Sequence, residues 1–144
     1  CQPMIEPIEA GVCVFLCKEI NGILHFLVQG KIECCLLDGV ELAPTIQTLL
    51  SNKNSSDSKI PYIDYYIKRE KYKLLYDAYQ SEEGGRFYRE QNHNLIILVE
   101  NEFENLYPDK FIWMNLYQIT HFISVGNIFN IQARNLISTL SFHE

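Results

Sequence analysis

A chain of 144 residues, 47% hydrophobic and 21% charged, has the composition of one globular domain with its own core. Its formal charge of −6, from 18 acidic against 12 basic residues, argues against a nucleic-acid surface, which needs clustered Lys and Arg. No apolar run reaches the roughly 20 residues that span a bilayer, and the N-terminal CQPMIEPIEAG lacks the basic start of a signal peptide, so the expectation is a cytosolic protein with no membrane partner.

The first residue is Cys rather than Met, which suggests a piece of a longer chain. The five cysteines, Cys1, Cys13, Cys17, Cys34 and Cys35, are odd in number and show no zinc-finger spacing. Cys13 and Cys17 read as small buried hydrophobes on a strand, and no metal site is expected.

In chain order, GVCVFLCKEI and ILHFLVQ flank Asn21-Gly22, a type I′ turn signal, and predict a β-hairpin. His25 within it is expected to be half-buried. Short extended pieces are expected around Ile32 and from Thr45 to Leu49, with Pro44 limiting any central strand. Ser51 to Lys59 is polar and reads as an exposed loop. Pro61 suits the first position of a short helix, YIDYYIKRE. Lys73 to Tyr79 reads as extended.

The next segment, QSEEGGRFYREQNHN, concentrates acids, arginines, glycines and carboxamides directly before the apolar run LIILV. It predicts strands at Phe87 to Gln91 and Leu95 to Val99, joined by a tight Asn92-His93-Asn94 turn with His93 in solvent. Trp113, Tyr107 and Phe111 read as core. Asn115 is expected to cap a helix that carries Leu116, Ile119, Phe122 and Ile123 on one face and that Gly126 ends. Asn130 is expected to cap a last helix with Ala133, Leu136, Ile137 and Leu140 inward. The pattern is α+β, with a mixed or antiparallel sheet and helices packed mainly from the C-terminal half.

Several motifs have chemical potential. Arg86 and Arg89 offer bidentate forks to phosphate, and Gly84-Gly85 permits close approach of backbone. Phe87 and Tyr88 offer flat faces. Lys31 and Glu33 follow an apolar strand, where a cation and a base are useful. The chain has no G-x-G-x-x-G, Walker A, H-E-x-x-H or G-x-S-x-G motif.

Taken together, Gln2 to Glu6, the G-x-x-x-F-L-x-K-E-I-x-G-x-L-H-F-L-V-Q-x-K-x-E run from Gly11 to Glu33, Pro44 to Gln47, Gln80 to Phe87, Asn92 to Asn94, and Asn130 to Leu136 resemble the NDP-hexose 2,3-dehydratase family. The resemblance covers nearly the whole chain in order. It implies a single Nudix-like module over residues 1–144, one of the two modules of the family enzyme, and a homodimer. It implies a lyase that removes water across C2 and C3 of a nucleoside-diphosphate 4-keto-6-deoxyhexose, usually the dTDP sugar, on the way to deoxysugars, with no redox cofactor. The alternatives are a non-catalytic nucleotide-sugar-binding module and a Nudix-type hydrolase, the latter disfavoured by the missing G-x5-E-x7-R-E-x-x-E-E box. The family pattern supports the motif positions, and chemistry suggests the roles. Glu33 is the first choice for base and Glu82 the second. Lys31 and Arg86 would meet diphosphate or enolate charge, and Gln29, Gln47, Phe87, Asn92 and Asn94 would contact sugar or nucleotide.

Overall fold

A computed structural model describes residues 9–31, 39–54, 60–81, 90–126 and 128–140. The hairpin forms as expected. Strands β1 (Gly11–Ile20) and β2 (Ile23–Lys31) pair antiparallel, and Asn21 and Gly22 take the positive φ values, 53° and 78°, that a type I′ turn needs. The other strands are β3 (Glu41–Ala43), β4 (Ile46–Leu49), β5 (Lys73–Ser81), β6 (Gln91–Leu98) and β7 (Phe111–Asn115). They form a seven-stranded mixed sheet ordered β3-β2-β1-β6-β5, with β4 paired to β1 and β7 to β2. Among the described strands one pair is parallel, β1 with β6, and it places β1 in the centre. Both faces of β1 are covered, which explains its unbroken apolar run.

One face of the sheet carries Cys13, Phe15, Cys17, Phe26, Val28 and Ile96, under helices α2 (Leu116–Val125) and α3 (Ile131–Ser138). The helix caps are those the sequence indicates. Asn115 forms a capping box with Gln118, and Asn130 accepts from the Ala133 N–H at 2.9 Å. The opposite face carries Val12, Val14, Leu16, Leu27, Leu95 and Ile97, against helix α1 (Ile63–Ile67) and an aromatic group of Tyr62, Tyr65, Phe103, Tyr107 and Trp113. Of the three aromatics expected in the core, Phe111 is buried there, and Tyr107 and Trp113 pack against it half-buried.

β1 and β2 do not stay paired. After Cys17 and Phe26 they part, β1 continuing against β4 and β2 against β3. At the split, the Thr45 hydroxyl accepts from Leu16 N–H at 3.0 Å and donates to the Leu27 carbonyl. These are the next backbone groups that would have paired. Thr45 is 2% exposed, so without its hydroxyl both would be buried unpaired.

Four expectations need correction. Asn92-His93-Asn94 is no turn: these residues lie inside β6, paired with Gly11 to Cys13 on one side and Ala78 to Gln80 on the other. His93 is accordingly 3% exposed rather than solvated. β3 and β7 are strands that the sequence reading did not mark. The short helix starts at Ile63, with Pro61 in the preceding turn and Tyr62 left-handed at φ 62°. Residues 51–54 belong to a 3-10 turn, Leu50–Asn54. The extended piece around Ile32, most of the expected Phe87 to Gln91 strand, and Cys1, Cys34 and Cys35 lie outside the described residues.

Cys13 and Cys17 are buried free thiols, and Cys17 Sγ faces the Ile97 carbonyl at 3.4 Å. Burial pushes the Cys17 thiol up to about 12. Two outcomes are expected. Thr45→Val, nearly isosteric, should cost about 2–5 kcal/mol in urea denaturation by leaving two buried backbone groups unpaired. Raising the pH should destabilise the fold through Cys17. Above about pH 9 the unfolded thiol ionises while the folded one stays protonated, so its contribution is lost as pH rises toward the folded value, at about 1.4 kcal/mol per unit. The alkaline fall in urea midpoint should be shallower in Cys17→Ala.

Candidate functional site

At the end of β1 where it pairs with β4, polar side chains replace apolar ones on the face carrying α3. Directly paired residues share a face, so Cys13 aligns with Gln47 and Asn94, and Gly11 with Asn92. These carboxamides are held by named partners. Asn94 Nδ2 donates to Gln80 Oε1, and Gln80 Nε2 donates to the Tyr76 hydroxyl at 2.9 Å. Asn130 does double duty: its Oδ1 caps α3 and its Nδ2 donates to Gln47 Oε1 at 2.6 Å. Asn130 is itself set by β3, its N–H donating to the Leu42 carbonyl at 2.9 Å. With Gln47 Oε1 engaged by Asn130, its Nε2 amino group is the donor end of the side chain.

Gly11 is required here by space. A Cβ at that position would lie 2.1 Å from Asn92 Oδ1, so the Asn92 amide lies across bare backbone.

An open cleft of about 350 Å³ lies over this patch. Lys31, Gln47, Thr48, Asn52, Glu90, Asn92 and Gln132 supply its polar lining. Three sequence candidates, Lys31, Gln47 and Asn92, are therefore brought together from β2, β4 and β6. Gln29 pairs with Ala43 and Phe111 within the sheet, and neither it nor Asn94 lines this cleft. Glu33, Glu82, Arg86 and Phe87 lie outside the described residues. Glu90 and Gln132 are additions. Strand alternation from Asn92 would have put Glu90 on the same face, whereas Gln132 arrives only through the packing of α3.

The other face of β6 holds a second polar group. His93 Nε2 lies 2.6 Å from Asp77 Oδ1, and His93 Nδ1 lies 3.0 Å from the Tyr66 hydroxyl. With Nε2–H donating to the carboxylate, Nδ1 accepts from the phenol, a tautomer assigned from the partners. Tyr79 stacks on the ring at 4.3 Å and 5°, and the Arg69 guanidinium sits 5.0 Å from the Tyr66 ring centre. Burial pushes the Tyr66 phenol up. Tyr66 and His93 are each 3% exposed, so their hydrogen bond braces β6 from within the core. A larger groove of about 710 Å³ at the other end of the sheet, lined by Glu19, Lys71, Lys73 and Glu100 among others, contains none of the sequence candidates. Among the described residues, no three His, Cys, Asp or Glu side chains are placed to hold a metal ion.

Comparison with known proteins adds the following. A family model described as NDP-hexose 2,3-dehydratase matches residues 1–140. A dTDP-4-dehydro-6-deoxy-alpha-D-glucopyranose 2,3-dehydratase of Saccharopolyspora spinosa is 37% identical over 99% of this chain and 29% of its own length. A protein of the same name from Streptomyces violaceoruber is 36% identical over 95% of this chain and 31% of its own length. The chain thus spans less than a third of these relatives. Among solved structures, the Nudix hydrolase RenU of M. smegmatis superposes with a TM-score of 0.54 at 11% identity, covering 92% of this chain and 88% of its own, a likeness of fold.

Gly11→Ala should force the Asn92 amide aside and cost about 1–3 kcal/mol in thermal or urea denaturation. Asn92→Ala in the same chain should recover much of that loss, a non-additivity expected only if the two side chains compete for one space.

Proposed function

The chain belongs to the NDP-hexose 2,3-dehydratase family, and from that premise we propose that it binds a nucleoside-diphosphate 4-keto-6-deoxyhexose and takes part in removing water across C2 and C3. The dTDP-linked 4-keto-6-deoxyglucose is the substrate we favour, because relatives 32–37% identical act on that sugar by name. The observation that carries the reading is the cleft in which Lys31, Gln47 and Asn92 meet.

The chemistry asks for such a lining. The C3 hydrogen is α to the C4 ketone, and its loss puts negative charge on the C4 oxygen. A cation and fixed amide donors lower the energy of that enolate. Lys31 would supply the cation, and the Gln47 amino group, held from behind by Asn130, would donate to a sugar oxygen. Asn92 would fix the sugar from the opposite strand. Arg86 remains our candidate for the diphosphate and Phe87 for the base, with Glu33 and Glu82 as carboxylates near the sugar. Gln29 and Asn94 would then support the site from the sheet. No redox cofactor is needed, since water is eliminated without net oxidation.

We also place the protein in the cytosol as a homodimer. The free buried thiols suit a reducing compartment. Helix α2, LYQITHFISV, has no charged residue and leaves Tyr117 80% and Val125 65% exposed, an apolar surface that a second copy would cover. No helix among the described residues is long and apolar enough to cross a membrane.

Calorimetric titration with dTDP and with dTDP-4-keto-6-deoxyglucose tests the reading, followed by mass analysis of the sugar for loss of water. Binding of both is expected, with Lys31→Ala weakening it at least tenfold, about 1.4 kcal/mol. Binding without loss of water would make the chain a nucleotide-sugar-binding module. No binding of either ligand would sink the proposal.

A further inference from the structure

We infer that Glu90 is the carboxylate that moves the proton in this cleft, taking it from C3 and returning it to the departing C2 hydroxyl; this rests on the function proposed above. Among the described residues lining the cleft, Glu90 is the sole carboxylate and Lys31 the sole ammonium. They enter from different strands. Lys31 ends β2, beyond the point where that strand leaves β1 for β3, and Glu90 immediately precedes β6. A sugar seated between them would present its C3 hydrogen to one group and its C4 oxygen to the other. Glu90 and Asn92, two residues apart, both reach the cleft, so the carboxylate stands one step outward from the amide laid over Gly11.

Position alone would be weak if Glu90 belonged to a free loop. It adjoins a strand braced on both faces. On the cleft side Asn94 is tied to Gln80. On the other side His93 is held by Asp77, by Tyr66 and by the stacked Tyr79. A base must be held to within a fraction of an ångström to be effective, and this start of β6 is a rigid mount for one. The residue is half-buried and lines the cleft.

The step balances without a co-reactant. The Glu90 carboxylate takes the C3 proton, and the C–H electron pair forms the enolate with the C4 oxygen facing Lys31. The enolate then expels the C2 hydroxyl as the C2–C3 double bond forms. The Glu90 carboxyl gives its proton to that oxygen, which leaves as water, and the carboxylate is restored. Nothing is oxidised or reduced overall.

Deuterium exchange at C3 isolates the first half of this sequence. The whole chain would be incubated with dTDP-4-keto-6-deoxyglucose in D2O, with C3 labelling followed by NMR and binding by calorimetry. Glu90→Gln is expected to bind within about threefold of the unaltered chain and to lose exchange and dehydration at least 100-fold, the lower end of what a general base contributes. Glu90→Asp, which keeps the charge, should regain part of the exchange, and this guards against a fold defect in the glutamine variant. Exchange by Glu90→Gln within tenfold of the unaltered chain would overturn the assignment, and its loss in Glu33→Gln instead would move the base there. An unaltered chain that binds the sugar but neither exchanges C3 nor releases water would overturn it as well. Failure to bind at all is a different result: it removes the nucleotide-sugar reading, and this inference with it.

Discussion

One hydroxyl decides the shape of this domain. Thr45 stands where β1 and β2 separate, and it satisfies the Leu16 N–H and the Leu27 carbonyl that the separation would orphan. Parting two central strands inside a core is ordinarily expensive, because each unpaired buried backbone group costs about 1–3 kcal/mol. With Thr45 in place the split is tolerated, and each strand takes a new neighbour. β4 joins β1 and brings Gln47, while β3 joins β2 beyond Val28, near the strand end that carries Lys31. The cleft is a consequence of that divergence. A sheet with β1 and β2 paired throughout would have no room for β4 and no place for the glutamine.

The same logic runs along β6. A strand turns successive side chains to opposite faces. Asn92 and Asn94 face the cleft side, and His93, between them, faces the other. Polar residues in the middle of a sheet are costly unless paired, and here each named partner lies on an adjacent element: Gln80 for Asn94, Asp77 and Tyr66 for His93. The brace on one face therefore holds the cleft side of the strand on the other. Ordinary packing would fix the strand less firmly, since carboxamides need their geometry as well as their volume satisfied.

How far this could be read from the sequence depends on where each residue's partner lies. The β1–β2 hairpin was legible because Asn21-Gly22 carries its own turn chemistry. The caps Asn115 and Asn130 were legible because their partners are three residues away. Asn92-His93-Asn94 was misread as a turn because those residues favour turns on their own, and only the distant Asp77, Tyr66 and Gln80 make them a strand. β3, three residues beside Pro44, and β7, rich in aromatics, had too little alternation to declare themselves. For the candidate site, Lys31, Gln47 and Asn92 were singled out through motif and chemistry, and they line one cleft. Gln132 was not, because helix packing rather than local pattern delivers it to the cleft.

A shared fold names no reaction, since one chain path can host many chemistries. The lining is more informative. A divalent cation asks for several hard oxygen ligands held close together. The described lining of this cleft has one carboxylate, one ammonium and a set of carboxamides. Carboxamides bind neutral hydroxyls and carbonyls without adding charge, and a single ammonium can answer the charge that grows on one oxygen during proton removal. The chain's net charge of −6 makes the placement of that ammonium matter more, because little in the overall field would hold an anionic ligand such as the one proposed. Attraction must come from local cations. The split at Thr45 helps to set the strand that carries Lys31, so the element that makes the cleft possible also positions the positive charge inside it.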